Sequence, residues 1–426
     1  MNQPSLAIIG TGISGLSCAH FLQHRYDISL YEKNDYIGGH AYTEIVQDEQ
    51  ETVYTDTAFV IFNDVNYPLF WRLLAELDVA KIRCPMSYSF KINPLGWEYN
   101  TKGLSYIPTN PKNLLDRRFL KLLWETRRFY KEATEIYREP QYADYSLADY
   151  VKEKAYSDDF LDYYLIPIIA VVWSIPPQQM LDFPAVTMVR FLENHGAFQG
   201  LFGRIRWSTV AQGSLSYKKK LTAPFKDKIL TERAVTQVLR QNGKVRVTDQ
   251  SGASREFDHV ILACHADQAL ALLGDAASAE EKRLLSPFHY SQSRVLLHTD
   301  SSILPAQRSM WASWNYHVSH DPSGQPVASF TYYMNKLQKV SKLKDYFVTV
   351  NDFGHVDPAK VIKSFDYEHP IFDGPAIRAQ QELDQLNRDG PIYFCGSYFK
   401  YGFHEDALRS GLELCRSLTG EKIWQD

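Results

Sequence analysis

The first forty residues alternate between short apolar runs and one longer stretch with helical spacing. Leu6 to Ile9 is a continuous apolar run, which is typical of a strand buried in a parallel sheet. A helical stretch follows from roughly Gly12 to His24, and a second run from Ile28 ends at Glu32. The order of strand, helix and strand predicts a βαβ unit in this part of the chain.

Gly10, Gly12 and Gly15 separate the first predicted strand from the helix at the dinucleotide-fingerprint spacing. In such a turn the first glycine permits a tight bend, the second lets the backbone approach a pyrophosphate, and the third lets the helix pack closely on the strand. The helix, whose first residues are Ile13 and Ser14, points its amides and positive dipole end at the phosphates. The pattern predicts a nucleotide site. The alternative is a glycine-rich turn with a structural role alone.

Glu32 stands twenty positions after Gly12, at the end of the second predicted strand, and Lys33 follows it. A carboxylate there accepts hydrogen bonds from both hydroxyls of a ribose and repels a 2′-phosphate. We therefore place Glu32 and Lys33 in the predicted nucleotide site and disfavour an NADP-type ligand.

Two more segments lengthen the predicted binding site. The doublet Gly38-Gly39 gives a second turn of bare backbone, and His40 follows it. Near the other end of the chain, residues 391–397 are typical of a buried strand that ends in Gly396-Ser397, and residues 402–411 of the start of a closing helix. A second bare turn suits a ligand longer than NAD, and these segments together favour FAD.

The order of fingerprint, acid, doublet, strand and closing helix resembles the flavin-containing amine oxidoreductase superfamily. That superfamily includes monoamine oxidases, phytoene desaturases and a polyunsaturated fatty acid isomerase. Four further segments resemble a bacterial branch of FAD-binding proteins associated with fatty acid modification, including a flavin desaturase of furan fatty acid synthesis. These segments are Trp173-Ser-Ile-Pro-Pro, Phe191-Leu-Glu-Asn-His195-Gly, Met334-Asn-Lys-Leu-Gln and Tyr401-Gly-Phe-His-Glu-Asp406.

The resemblance implies an α/β fold in which a Rossmann-type FAD-binding domain with a parallel sheet is interleaved with an α+β substrate domain. The predicted FAD-binding domain comprises residues 1–85, 205–290 and 388–426, and the predicted substrate domain comprises residues 86–204 and 291–387. The resemblance also implies that the backbone of Val235 faces the adenine. The chain departs from the family twice, since His40 stands where arginine is frequent and Ser397 where aspartate is frequent.

Between these segments, residues 235–240, 244–248 and 257–263 have the pattern of three strands. The turn sequences Asn242-Gly243 and Ser251-Gly252 separate them. The third run predicts a return to the parallel sheet. Residues 56–63 predict a further strand, which in the family runs past the flavin.

The closing helix supplies further candidates in its first turn, His404, Glu405 and Asp406. If this end faces the flavin, its amides and dipole would stabilise the negative charge that develops when hydride arrives. Acids in a first turn also cap the helix, so capping is the alternative role for Glu405 and Asp406.

The candidates for catalysis are His40, His195, Tyr401 and His404. Histidine acts as a general acid or base near neutral pH, and a structural role is the alternative for each. Tyr401 and Tyr398 fall where the superfamily lines the flavin face with aromatic side chains.

Composition narrows the function classes. The 426 residues suffice for two cores, and a net charge of −4 gives no indication of a nucleic-acid partner. Aromatic residues make up 14% of the chain, which suits a long apolar ligand or, alternatively, a core of large flat side chains.

Five scattered cysteines disfavour disulfides and a metal site and favour a reducing compartment. The longest apolar stretch, residues 163–175, is too short to span a bilayer, so we predict a cytoplasmic protein. The oligomeric state stays open.

Residues 112–139 predict a helix that is both apolar and basic. Its leucines, phenylalanine and tryptophan alternate with seven lysines and arginines between Lys112 and Lys131. Such a helix either lies on an anionic membrane or covers a core and exposes its charged side to water. Peripheral contact with the inner membrane surface is therefore one of two predictions for this segment.

Three hypotheses about function remain. The first is desaturation or isomerisation of a fatty acyl chain by hydride transfer to FAD. The second is oxidation of an amine, and the third is a non-catalytic flavin and lipid-binding partner of a lipid-modifying enzyme. The branch resemblance and the aromatic excess favour the first, with a hydrophobic molecule or lipid as substrate.

Overall fold

The computed structural model describes residues 3–100, 107–108, 111–142, 145–173, 180–194, 205–322, 324 and 326–424. The strands in chain order are β1 (Ser5–Ile9), β2 (Asp27–Tyr31), β3 (Thr43–Gln47), β4 (Thr52–Asp56), β5 (Lys81–Arg83), β6 (Tyr88–Ile92), β7 (Trp97–Asn100), β8 (Ile107–Pro108), β9 (Ser208–Val210), β10 (Ile229–Leu230), β11 (Val235–Gln241), β12 (Lys244–Asp249), β13 (Ser254–Phe257), β14 (His259–Leu262), β15 (His289–His298), β16 (Trp314–His320), β17 (Pro326–Tyr333), β18 (Phe347–Val350), β19 (Val361–Ile371) and β20 (Ile392–Phe394). The helices are α1 (Ile13–Leu22), α2 (Pro68–Glu76), α3 (Arg117–Glu132), α4 (Leu147–Glu153), α5 (Asp158–Phe160), α6 (Ile166–Trp173), α7 (Ala185–Asn194), α8 (Leu215–Thr222), α9 (Ala266–Leu273), α10 (Ala279–Leu285), α11 (Met334–Leu337), α12 (Gly374–Gln380) and α13 (His404–Thr419).

A five-stranded parallel sheet joins the two ends of the chain, in the order β10-β2-β1-β14-β20. Its central strand β1 places Ile8 beside Leu30 of β2 and Ile261 of β14, and all three side chains are fully buried. Burial on both faces is the reason why this strand is continuously apolar. The predicted α/β fold with a parallel sheet is confirmed.

Helices α1 and α13 pack against each other beside this sheet. A Cβ added at Gly411 would lie 2.5 Å from the Ser17 Oγ and 2.8 Å from the Ser14 carbonyl oxygen, so only glycine allows this close approach. The Sγ atoms of Cys18 and Cys395 lie 3.9 Å apart and are not bonded. All five cysteines are free.

The three predicted strands are present as β11, β12 and β14, and β14 returns to the parallel sheet as expected. Strand β13, which was not predicted, completes a three-stranded antiparallel sheet with β11 and β12. Asn242 and Gly243 both have positive φ, 53° and 77°, which is the conformation that a two-residue hairpin turn requires. The prediction of a strand over residues 56–63 is wrong. Strand β4 ends at Asp56, because the backbone beyond it leaves the pairing with β3, and Phe62 then forms an isolated bridge to Ser208.

An eight-stranded sheet, in the order β19-β15-β18-β17-β16-β6-β7-β8, forms the second layer. Three of its adjacent strands carry aromatic residues in register on one face, and we call these six residues the aromatic face. They are Tyr88 and Phe90 on β6, Trp314 and Tyr316 on β16, and Phe330 and Tyr332 on β17.

The opposite face of these strands is polar. The Ser89 hydroxyl donates to the Asn315 Oδ1 at 2.7 Å, and the hydroxyls of Thr331 and Thr349 lie 2.7 Å apart. Side chains alternate between the two faces of a strand, so the same strands present aromatic rings on one side and a hydrogen-bonded polar row on the other.

The sheets draw their strands in an interleaved order from the chain, and the domain boundaries given above stay a prediction. The predicted helix over 112–139 is present as α3, with a 3-10 turn on either side. In the described part of the chain, no helix is long and apolar enough to cross a bilayer, and no cluster of His, Cys, Asp or Glu is arranged to hold a metal ion.

Candidate functional site

The fingerprint glycines differ in what surrounds them. Gly10 has a φ of +104°, and an added Cβ would lie 2.6 Å from the Ala263 carbonyl oxygen. A Cβ at Gly15 would lie 2.1 Å from the Gly10 carbonyl oxygen. At Gly12, in contrast, an added Cβ would meet nothing within 4 Å. The protein itself therefore requires Gly10 and Gly15, whereas Gly12 borders open space.

This open space lies at the start of α1. Ile13 and Ser14 form the first turn, which carries no acidic residue, and Gly12 is the N-cap and provides no side chain. The first amides of a helix have no partner within the helix, and together with the helix dipole they favour an anion.

Glu32 closes β2 beside the glycine turn and is buried. Its Oε2 accepts hydrogen bonds from the amide and the hydroxyl of Thr11, at 3.2 and 2.5 Å. Its Oε1 accepts two from Asn34, both at 3.0 Å. These four donors match the acceptor capacity of a carboxylate, so a ribose at Glu32 would take the place of one of them. Lys33, the next residue, is exposed.

The doublet Gly38-Gly39 lies against the fingerprint turn, with an added Cβ of Gly39 3.4 Å from the Gly12 Cα. A residue that the sequence analysis missed holds this doublet. The buried Lys218 on α8 donates through Nζ to the carbonyl oxygens of Ile37, at 2.8 Å, and Ala41, at 2.5 Å. Burial lowers the pKa of Lys218 to about 8. In the sequence Lys218 stands in a run of three lysines, a pattern typical of a solvated surface, so no signal marks it as buried.

His40 follows the doublet and points toward β19. Its Nε2 lies 2.9 Å from the Glu368 carbonyl oxygen, and its ring centroid lies 5.3 Å from that of His369 and 6.0 Å from that of His265. Burial and the two neighbouring histidines lower the pKa of His40 to about 3. The imidazole is therefore neutral at physiological pH in the absence of an anion.

The first turn of α13 brings its three candidate side chains into different surroundings. The ring of His404 stacks on Phe59 with centroids 3.9 Å apart, and its Nε2 lies 3.2 Å from the Tyr217 hydroxyl. Burial, and more weakly the charge of Lys218, lowers the pKa of His404 to about 3. Like His40, this side chain is neutral at physiological pH.

The two acids of that turn are bound to backbone amides. The Glu405 carboxylate accepts from the amides of Leu69 and Phe70, both at 2.9 Å, and so caps α2. The Asp406 carboxylate accepts from the amides of Tyr401 and Phe403, and burial raises the pKa of Asp406 to about 6.

The remaining candidate residues lie in different surroundings. The Gly396 amide donates to the Ser410 hydroxyl at 2.9 Å, and Ser397 is partly buried beside it. Tyr401 is 38% exposed, whereas Tyr398 is fully buried against Phe288. Val235 begins β11 and is partly buried. His195 lies outside the described residues.

Asp56 is a second buried group that the sequence analysis missed. Its carboxylate accepts from the Thr43 hydroxyl at 2.6 Å, from the Ser214 amide at 2.9 Å and from the Gln338 side-chain amide at 2.7 Å. Burial raises the pKa of Asp56. Gln338 ends the segment Met334–Gln338 that resembles the bacterial branch, so this segment serves here to join the eight-stranded sheet to β4.

A series of rings leads from His404 through Phe59 to Tyr67. Phe59, on which His404 stacks, lies 6.1 Å from Tyr67 between ring centroids. Burial raises the pKa of Tyr67, and the nearby groups that add to the shift include Asp406 and Tyr332. On the aromatic face itself, Trp314 lies 5.4 Å from Tyr332.

Two polar atoms of the aromatic face are buried without a hydrogen-bond partner among the described residues, the Trp314 Nε1 and the Tyr316 hydroxyl. An unpartnered buried donor costs about 1–3 kcal/mol, so such groups in a native protein usually mark a ligand, a water molecule or strain.

The residues at the glycine turns fit FAD. The open space at the Gly12 Cβ position adjoins the start of α1, and the bare backbone there leaves room for a pyrophosphate.

Comparison with known proteins agrees with this geometry. The sequence profile of the family described as flavin containing amine oxidoreductase matches residues 13–419. Putrescine oxidase bound to putrescine has a similar structure, with a TM-score of 0.69 and 16% identity over 98% of this chain and 99% of that one. Cyclohexylamine oxidase from Brevibacterium oxydans gives 0.68 and 14% over 98% of both chains. A fatty acid isomerase from P. acnes that produces CLA gives 0.64 and 14% over 98% and 99%. No curated protein sequence matches.

Proposed function

The chain belongs to the flavin-containing amine oxidoreductase family and is an FAD-dependent oxidoreductase; from this premise we propose that its substrate is a fatty acyl chain, which it desaturates or isomerises. The observation that carries the proposal is the aromatic face, six large rings in register on three strands, with two buried polar atoms among them. Aromatic walls bind a long apolar chain, and an indole N–H or a phenol O–H is suited to the carbonyl oxygen of an acyl group.

The residues around the glycine turns would hold the cofactor. The amides at Gly12, Ile13 and Ser14 and the doublet would face the pyrophosphate, and Glu32 the ribose. The start of α13 would face the flavin, where the His404 amide and the helix dipole stabilise negative charge. Bound FAD supplies a hydride acceptor.

The aromatic face itself carries no charged side chain, which favours an uncharged substrate over an ammonium ion. The carboxylates that act on Tyr67 are those of Asp406 and Glu405, and both accept hydrogen bonds from backbone amides. A protonated amine on the aromatic face would need a carboxylate as its counter-ion, and none of the six residues supplies one. An uncharged acyl chain makes no such demand and would be positioned by the shape of the rings.

Anaerobic mixing of the FAD-loaded enzyme with substrates tests the proposal. Fatty acids and phospholipids are compared with putrescine and cyclohexylamine by following the absorbance of oxidised flavin, and mass spectrometry identifies products. We expect the acyl substrates to reduce the flavin or, for an isomerase, to yield a shifted double bond without net reduction. Reduction by the amines alone would overturn the proposal in favour of amine oxidation. Lipid binding with neither reduction nor product would favour a non-catalytic role.

A matched pair of variants locates the reaction at the aromatic face. Tyr316→Phe removes one unpartnered hydroxyl from this face, and we expect the KM for an acyl substrate to rise about fivefold or more, because the hydroxyl would bond to the substrate. Tyr150→Phe removes another buried hydroxyl without a partner among the described residues, but on α4. The second variant should leave the KM unchanged. Equal effects would place the acyl chain elsewhere.

A further inference from the structure

Helix α3 and the turn before it carry a cluster of exposed apolar side chains. In the described part of the chain ten large apolar side chains are exposed, and four of them fall within eleven consecutive residues. They are Leu114 at 49%, Leu115 at 84%, Leu120 at 44% and Trp124 at 59%. Because single exposed apolar residues are normal and clusters are not, this surface calls for a partner.

Cations alternate with these apolar side chains. Arg117, Lys121, Arg127 and Lys131 on α3 are all exposed, and they recur at spacings that keep them near the exposed apolar side chains. We call the four apolar residues and these four cations the α3 outer face. The protein as a whole has a net charge of −4, so this face differs in sign from the molecule that carries it.

The carboxylates near this face are bound and contribute little to its surface. Glu125 is buried and accepts from the amide and the hydroxyl of Ser157. Asp116 accepts from two amides at the start of α3 and caps the helix. The Asp159 carboxylate is paired with the guanidinium of Arg118, at 2.5 and 2.6 Å.

The inner face of the same helix packs on the side of the sheet that carries the aromatic face, next to that face. Phe119 lies 5.5 Å from Tyr99, which stacks on Phe90 at 4.8 Å. Farther along α3, the Tyr130 hydroxyl is hydrogen-bonded to that of Tyr164, whose ring stacks on Phe90 at 5.6 Å. Between the α3 outer face and Phe90 of the aromatic face there are therefore two rings, those of Phe119 and Tyr99.

We propose that the α3 outer face docks on an anionic lipid bilayer, with its apolar side chains in the headgroup boundary and its cations on the lipid phosphates. Interfacial helices combine these two features, and each cation near an anionic surface strengthens binding about fivefold. The orientation places the aromatic face behind the docked helix, so an acyl chain would have a short path from the bilayer to the flavin. This last step rests on the proposed function, whereas the docking does not.

Flotation of the FAD-loaded full chain with vesicles tests the docking. We expect binding to vesicles that contain phosphatidylglycerol, about tenfold weaker binding to vesicles of phosphatidylcholine alone, and a partial loss in high salt. Vesicles with brominated acyl chains should quench tryptophan emission, and Trp124→Phe should abolish most of that quenching. If the native protein does not bind the anionic vesicles at any salt concentration, the proposal is wrong.

Two double variants of matched chemistry sharpen the test. Leu120→Ser with Lys121→Gln changes the α3 outer face, and we expect the partition coefficient to fall about tenfold or more. Leu343→Ser with Lys342→Gln makes the same changes at another exposed Lys-Leu pair, where Leu343 is 60% exposed, and should have no effect. Equal binding by both variants, or a native dimer that the first variant dissociates, would overturn the proposal.

These outcomes separate the two proposals. If the native protein does not bind vesicles but acyl lipids in detergent reduce its flavin normally, the docking proposal alone is wrong. If it binds vesicles but turns over no acyl substrate, the proposed function alone is wrong. Vesicle binding by the native protein, measured at different salt concentrations and lipid compositions, tests the docking proposal without any variant. The test therefore remains valid if a variant fails to fold.

Discussion

The charged side chains buried in the cofactor region have protein partners, whereas two polar atoms buried in the aromatic face have none among the described residues. Around the glycine turns, Glu32 has four donors, Asp56 has three partner residues and Lys218 holds two carbonyl oxygens. On the aromatic face, the Trp314 Nε1 and the Tyr316 hydroxyl have no partner among the described residues. The difference teaches that the protein itself binds the buried charges of the first region, whereas the second keeps hydrogen-bonding capacity for a ligand.

The strongest test of this comparison uses two glycines of one turn. Gly15→Ala places a Cβ 2.1 Å from the Gly10 carbonyl oxygen, so backbone must move, and we expect a loss of stability of about 3 kcal/mol or more. Gly12→Ala places its Cβ in open space and should leave the Tm of the FAD-free protein unchanged. The Gly12 variant should instead weaken FAD binding about tenfold or more, because the pyrophosphate needs the same space.

Thermal unfolding of the FAD-free protein and titration with FAD measure the two effects separately. If both variants lost stability to the same extent, the space at Gly12 would belong to the protein interior and not to a ligand.

A smaller effect is expected from the lysine that holds the glycine doublet. Lys218→Met leaves the carbonyl oxygens of Ile37 and Ala41 without their charged donor, and we expect the free energy of unfolding to fall by about 2 kcal/mol. FAD should also dissociate faster, since the doublet loses its support. Lys219→Met changes the exposed neighbour and serves as the control. Urea denaturation and the rate of FAD release measure both effects, and equal behaviour of the two variants would contradict this role of Lys218.

The sequence predicted the parts of the site that depend on local backbone geometry. Three glycines at this spacing between a strand and a helix are typical of a dinucleotide-binding turn, so the turn at Gly10 to Gly15 and the strands on either side of it could be found without a structure. The hairpin at Asn242-Gly243 was predictable for a related reason, because few residues accept two successive positive φ angles.

The contacts between distant segments could not be predicted in this way. Lys218 lies in a run of three lysines, and only the fold turns one of them inward to the doublet. The local sequence pattern predicts that Asp56 starts a strand. In the structure its carboxylate accepts hydrogen bonds from Ser214 and Gln338, which follow it by more than 150 positions. The aromatic excess is visible in the composition, but its arrangement on one face depends on the pairing of β6 with β16, which is parallel and joins segments more than 200 residues apart.

The last prediction concerns the pH dependence of stability at His404, in the first turn of α13. Its pKa of about 3 in the folded protein lies below the ordinary value of 6.5, so between these two pH values the unfolded chain binds more protons. The stability that comes from the neutral imidazole is complete above pH 6.5 and is lost as the pH falls through this window toward 3. We expect a loss of about 1 kcal/mol per pH unit from this residue.

His404→Gln removes the titrating ring, so the stability of the FAD-free variant should depend less steeply on pH between 6 and 4 than that of the native protein. His289→Gln makes the same substitution at an exposed histidine at the start of β15 and serves as the matched control. Urea denaturation at a series of pH values gives both slopes. A native slope retained by His404→Gln would mean that the ring is hydrated when the site is empty, and the boundary between the two regions would then be open to water.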